Sequence, residues 1–195
     1  MDGERVNQRR RRFLTGAVSV VGGAGAIGAG WAFATALMPS ERAKAAGAPV
    51  EVDISKLEPA QMLRVKWRGK PVWVLRRTEE QLETLPALDP MLRDPRSEEA
   101  QQPAYARNEH RSIKPEYLVL VGICTHLGCS PSYVRASAAH ALGPDWKGGF
   151  FCPCHGSRFD LAGRVFQSVP APLNLVVPPH TYLSDTRVLV GVDAS

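Results

Sequence analysis

The sequence predicts a mainly β protein, an all-β head carried on a single N-terminal transmembrane helix, and three observations predict it. Residues 13–38 form a stretch of 26 residues without a charged side chain, longer than the about 20 helical residues that cross a hydrocarbon core. After residue 49 the apolar residues come in short runs rich in Val, Ile, Leu and Trp, bounded by Gly, Pro and polar residues, which is the pattern of strands. Only one local helix signal interrupts those runs.

Residues 1–12 form a basic cytoplasmic segment. Arg5, Arg9, Arg10, Arg11 and Arg12 stand there against Asp2 and Glu4, so the segment carries +3 of the chain's net +5. The rest is close to neutral and has no basic stripe interleaved with aromatics, which excludes a nucleic-acid footprint. The excess charge is a topology signal instead. Arginines before the span and the mixed Glu41, Arg42 and Lys44 after it place the N-terminus in the cytoplasm and the head outside. Arg10-Arg11-Arg12-Phe13-Leu14 resembles the twin-arginine export signal, a bacterial route for folded, cofactor-loaded proteins. The expected location is therefore the bacterial inner membrane, single-pass, with a periplasmic head. Ala43-Lys44-Ala45 offers a cleavage site, but the apolar run exceeds the about 7–15 residues of a signal-peptide core, which favours an uncleaved anchor. Gly22, Ala26 and Gly30 on one line, and Ala24, Gly28 and Ala32 on another, leave room for a second helix to approach.

Residues 39–49 are Ala-rich and polar, lack apolar periodicity, and read as a flexible tether. The head spans residues 50–195. Within it, residues 50–54, 62–67 and 72–75 read as strands, with Arg68-Gly69-Lys70 as a hairpin turn. Residues 77–115 are polar, and Thr78 and Gln81 at capping-box spacing ahead of Leu82 and Leu85 predict one short helix in a long excursion. Residues 117–123 form an apolar strand running straight into Cys124. Residues 173–177 and 187–192 are further strands, with Pro178-Pro179 at an edge or turn between them. Trp67 and Trp73 fall on strand patterns and read as core or hairpin residues, while Trp31 lies in the span as a packing or interfacial residue.

All four cysteines and two of the five histidines fall in two short boxes, Cys124-Thr125-His126-Leu127-Gly128-Cys129 and Cys152-Pro153-Cys154-His155-Gly156-Ser157. Each box holds one Cys and one His at ligand spacing and one further Cys. A structural zinc module is one reading of such donors. Zinc fingers, however, pair cysteines in one half and histidines in the other, whereas each box here mixes the two and leaves a cysteine over. A thioredoxin-like pair needs C-x-x-C, and the second box holds C-x-C. His110, His140 and His180 lie outside the boxes and read as loop or surface residues.

The pair C-T-H-L-G-C and C-P-C-H-G-S resembles the motif pair of the Rieske proteins of cytochrome bc complexes, and Pro170-Ala171-Pro172 is similar to that family's proline loop. The resemblance implies stacked antiparallel sheets with a small cluster-binding subdomain at about residues 122–172, and one [2Fe-2S] cluster. It implies that Cys124 and Cys152 bind one iron, that His126 and His155 bind the other, and that Cys129 pairs with Cys154. Ser157 would donate a hydrogen bond to a cluster sulfide. The ligand chemistry agrees, since two thiolates leave the oxidised core formally neutral where four would leave it negative, so an electron enters more easily. Imidazole also keeps a ring nitrogen free to carry a proton. Gly128 and Gly156 suit tight turns beside the ligands. Phe159 stands where many members carry a tyrosine whose hydroxyl bonds a ligand sulfur, and loss of that donor predicts a lower potential than in tyrosine-bearing relatives.

By the same resemblance the chain is the iron–sulfur subunit of a quinol–cytochrome c reductase. His155 would hydrogen-bond the quinol, with ubiquinol the expected form, and take one electron and one proton from it. The head would then swing to reduce cytochrome c1. The implied partners are cytochrome b and cytochrome c1, in a membrane-embedded dimeric complex. The small subunit of an arsenite oxidase-like enzyme is the closest rival, disfavoured by the anchor and the proline loop. A ferredoxin of a ring-hydroxylating oxygenase would lack the export signal and the extra cysteines.

Overall fold

The computed structural model describes residues 7–137, 142–143 and 145–194. Arg5 of the basic segment and His140 lie outside the described residues. The chain divides into two compact units, residues 1–45 and 46–195.

The first unit is built on one helix, α1 (Gln8–Ala36), of 29 residues. Asn7 caps it, its side-chain oxygen accepting from the Arg9 and Arg10 amides, which satisfies donors that a helix start leaves free. At about 1.5 Å per residue the helix is about 44 Å long, enough to cross an about 30 Å hydrocarbon core. Its large apolar side chains, including Val18, Ile27 and Phe33, are exposed along the helix. The residues read as a flexible tether include a second helix, α2 (Glu41–Ala46). The reason is local: Ser40 accepts from Ala43 N–H at 3.2 Å and Lys44 N–H at 2.9 Å, Lys44 pairs with Glu41 at 2.7 Å, and alanine has the highest helix propensity.

Among the described residues the second unit is a mainly β head of three antiparallel sheets. The middle sheet has the order β2 (Met62–Trp67), β3 (Lys70–Arg76), β4 (Tyr117–Val121). Its hairpin turns through Arg68 and Gly69, both at positive φ, with Trp67 opposite Lys70. Both faces of β3 and β4 are buried, and strand alternation decides which residue goes where. Val72, Val74, Tyr117 and Val119 pack with Val52, Ile54, Val188 and Val190 of a second sheet, formed by β1 (Val50–Asp53), β9 (Arg187–Val190) and β8 (His180–Ser184). Trp73, Leu75, Leu118 and Leu120 point the other way, toward Phe150, Phe159 and Leu161. Those residues belong to the cluster-side layer, whose sheet is β5 (Ser132–Val134), β6 (Gly149–Phe151), β7 (Arg158–Phe159). Trp73 stacks on Phe150 with ring centroids 5.1 Å apart.

Four further sequence expectations change. The excursion after β3 holds two helices rather than one, α3 (Glu79–Glu83) and α4 (Leu85–Leu88), followed by 3-10 turns at Asp89–Met91 and Ala104–Ala106. The Thr78–Gln81 capping box is present at α3, and Pro86 near the start of α4 suits a second helix there. Residues 173–177 form no strand. Their backbone bonds go to separate elements instead: Leu175 N–H to Gly163 O, Val177 N–H to Gln101 O, and Val121 N–H to Val176 O. Strands 132–134, 149–151, 158–159 and 180–184 were not anticipated. Finally, His180 is not a surface residue. It is fully buried on β8, its Nδ1 2.9 Å from Pro178 O, and burial lowers its pKa below the ordinary value. His110 does lie in a loop, half-buried beside Glu109.

Candidate functional site

The two boxes fold into the same loop twice. In the first, Cys124 N–H donates to Cys129 O at 2.7 Å and Gly128 N–H to Cys124 O at 3.1 Å. In the second, Cys152 N–H donates to Ser157 O at 2.8 Å and Gly156 N–H to Cys152 O at 2.9 Å. Each loop therefore closes over six residues and places a glycine at the same step, with φ +84° at Gly128 and +77° at Gly156. An L side chain is strained at those dihedrals, and glycine is not.

Identical frames with different ligand order produce the site. The leading cysteines, Cys124 and Cys152, are both free and buried. Burial raises the Cys124 thiol above its ordinary pKa, and Cys152 adds to the rise, while the His126 amide and the Ser157 hydroxyl oppose it. The histidines stand at different steps of their loops, yet their rings meet edge to face with centroids 4.8 Å apart. His126 is half-buried and His155 exposed. The remaining cysteines form the disulfide Cys129–Cys154, with Cα atoms 6.7 Å apart. The sulfurs of Cys129, Cys152 and Cys154 lie within 4.8 Å of one another, but two of them are spent on the disulfide and cannot act as thiolates. Two free sulfurs and two imidazoles remain, a donor set that fits an iron–sulfur cluster with mixed ligation. A bound metal ion would overcome the effect of burial on Cys124, because coordination deprotonates a thiol outright.

The loop around Pro170, Ala171 and Pro172 is fastened to both boxes. Ala171 N–H donates to Ser157 Oγ at 3.0 Å, and Thr125 Oγ1 donates to Leu173 O at 2.6 Å. Leu127 projects at the tip, 72% exposed. Phe159 is fully buried beneath the second loop. Sequence reasoning missed Thr125 as a fastener and three fully or almost fully buried arginines, Arg77, Arg111 and Arg164. Nothing in their spacing marks them, since their partners are mostly main-chain carbonyls brought in by the fold.

A family model described as the Rieske [2Fe-2S] domain matches residues 49–179. The chain belongs to the Rieske family. It is 62% identical over 196 residues to the ubiquinol-cytochrome c reductase iron-sulfur subunit of Allochromatium vinosum, covering 99% of this chain and 93% of that one. The Rieske subunit of the same name from Bradyrhizobium diazoefficiens is 44% identical over 186 residues, covering 93% and 94%. Among solved structures, a chain of a hyperthermophilic respiratory Complex III is 26% identical, with a TM-score of 0.49 and coverage of 89% and 98%. The names of these relatives favour a Rieske subunit of a quinol-oxidising complex over the arsenite oxidase-like and zinc readings.

Proposed function

We propose that the chain is the iron–sulfur subunit of a quinol–cytochrome c reductase, taking one electron, coupled to a proton, from quinol and passing it to cytochrome c1. The observation that carries this reading is the pairing of free Cys124 and Cys152 with adjacent His126 and His155, in a chain with a near full-length relative named for that role. Cys124 and Cys152 would hold one iron and His126 and His155 the other. When bound, a [2Fe-2S] cluster so ligated supplies a one-electron acceptor that is easier to reduce than its all-thiolate counterpart.

The chain's own residues supply the rest. His155, the exposed histidine, presents its imidazole to the quinol hydroxyl and holds the proton at its free ring nitrogen. His126 sits deeper and completes the ligand pair. Buried Cys124 and Cys152 exclude water from the sulfur side of the site, and Ser157 donates toward sulfur, stabilising added negative charge. Leu127 and the exposed prolines Pro153, Pro170 and Pro172 give the tip an apolar rim, suited to docking first on cytochrome b and then on cytochrome c1. Residues 13–38 anchor the chain across the bacterial inner membrane after twin-arginine export, and residues 39–49 tether a periplasmic head within a dimeric complex.

Deleting the chain should abolish ubiquinol-dependent cytochrome c reduction in membranes, and re-expression should restore it. His155→Gln should fail to restore it. Undiminished turnover without the chain would contradict the proposal.

A further inference from the structure

Three buried arginines converge on one turn. Residues 158–166 form a hairpin descending from the second loop, with a bridge between Phe159 and Val165 and Asp160 N–H donating to Arg164 O at 2.9 Å. Asp160 shapes its tip, Oδ1 accepting from the Ala162 and Arg164 amides and Oδ2 from Arg164 Nε. Arg111, fully buried, donates from Nη1 to Ala162 O at 3.1 Å and Gly163 O at 3.3 Å, and from Nη2 to Leu175 O at 2.8 Å and Gln102 Oε1 at 2.9 Å. Leu175 N–H returns a bond to Gly163 O at 2.8 Å, and Val165 N–H donates to Asn174 Oδ1 at 2.8 Å. One planar fork thus joins the hairpin below the second loop to the chain below the proline loop.

The position is costly to occupy. Burying a guanidinium costs several kcal/mol, Arg111 Nε has no hydrogen-bond partner among the described residues, and Arg111 also has a φ of +50°, a conformation uncommon for residues other than glycine. The turn is shaped to receive it: a Cβ on Gly163, at φ +71°, would come within 3.2 Å of Arg111 Nη1.

What the clamp holds is the Ala171 amide. Ser157 Oγ accepts from Ala171 N–H, which leaves its own proton free to point toward the sulfurs of the site. A displaced proline loop would free that rotor. We propose that Arg111 is a positioning residue for the cluster site, clamping the proline loop against the second loop so that the Ala171 amide orients the Ser157 hydroxyl toward sulfur. The inference rests on the reading that Cys124, His126, Cys152 and His155 hold the cluster. Arg77 is an internal control, because it grips Leu161 O in the same turn while its other partners, Pro115 O, His110 O and Ser112 Oγ, include none in the proline loop or at Leu175.

Lysine keeps the charge but cannot reproduce a fork with four partners, so Arg111→Lys separates geometry from electrostatics. The test uses the full chain in its purified complex, reading the midpoint by voltammetry and the Ala171 amide by hydrogen exchange. Arg111→Lys lowers the midpoint and speeds Ala171 exchange at least about tenfold, the population shift that about 1.4 kcal/mol of local destabilisation gives. Arg77→Lys lowers thermal stability and leaves both readouts in place. In a Ser157→Ala background, Arg111→Lys moves the midpoint no further. An unmoved midpoint and amide in Arg111→Lys, or a midpoint shift that persists without Ser157, overturns the inference. Should Arg111→Lys fail to accumulate, Gln102→Leu removes one partner of the same nitrogen; it then shows the same shifts in smaller measure, and no shift overturns the inference. A wild-type chain lacking a Rieske signal by electron paramagnetic resonance defeats the cluster reading itself, whereas a normal wild-type signal with unmoved variants defeats the clamp alone.

Discussion

Phe159 and His180 show how much a single side chain decides. Phe159 is fully buried and offers no hydrogen-bond donor to the sulfurs, so a reduced, more negative cluster held by the two boxes would lack one stabilising contact. Phe159→Tyr should raise the midpoint relative to wild type in voltammetry; an equal or lower value would count against the missing donor as a control on potential. His180 acts on stability. Burial depresses its folded pKa below the ordinary value of 6.5, so the unfolded chain binds more protons just below that pH. Its contribution is intact above about pH 6.5 and is lost as pH falls from there toward the folded pKa. His110, also depressed chiefly by burial, adds in the same direction. Thermal unfolding of the full chain between about pH 7 and pH 5 should show falling stability, and His180→Phe should flatten the fall. A variant as acid-sensitive as wild type would show that other groups carry the dependence.

At the scale of elements, the disulfide and the end of β4 make the site rigid. Cys129 and Cys154 are 25 residues apart, and a closed loop of that length constrains the unfolded chain by roughly 3 kcal/mol. Replacing both with serine should lower thermal stability and cluster content together, measured by unfolding and by iron analysis; full retention of iron at unchanged stability would argue against the staple. Gly122 ends β4 just before the first box, and a Cβ there would lie 2.2 Å from the Trp73 indole. Gly122→Ala should displace the indole from Phe150 and destabilise the head by at least about 1–3 kcal/mol, the usual cost of overpacking, as denaturant unfolding would report. The β2–β3 hairpin, the Thr78 capping box and both boxes were legible because each rests on neighbours in sequence. Strands of two or three residues such as β5 and β7 were not, since partners across the sheet define them. Residues 173–177 carry a strand's composition but divide their bonds among several elements. Arg77, Arg111 and Arg164 were not legible, because the carbonyls that hold them are supplied by the fold.

On the scale of the whole molecule, an anchor, a linking segment and a head meet the needs of a one-electron carrier serving two partners. If residues 39–49 act as the tether, a proline run across residues 43–48 should remove α2 and stiffen the link, so that ubiquinol–cytochrome c turnover falls while the head remains bound and its cluster intact. Unimpaired turnover in that variant would count against a moving head. The central claim, a Cys2His2 cluster that meets quinol, is tested most directly by a redox titration of native membranes followed by electron paramagnetic resonance, with and without an inhibitor of the quinol-oxidation site. The account predicts a Rieske-type signal whose midpoint rises when inhibitor binds near His155 in the reduced state. A signal whose midpoint ignores the inhibitor would contradict the quinol partnership, and no signal in membranes that contain the chain would contradict the cluster.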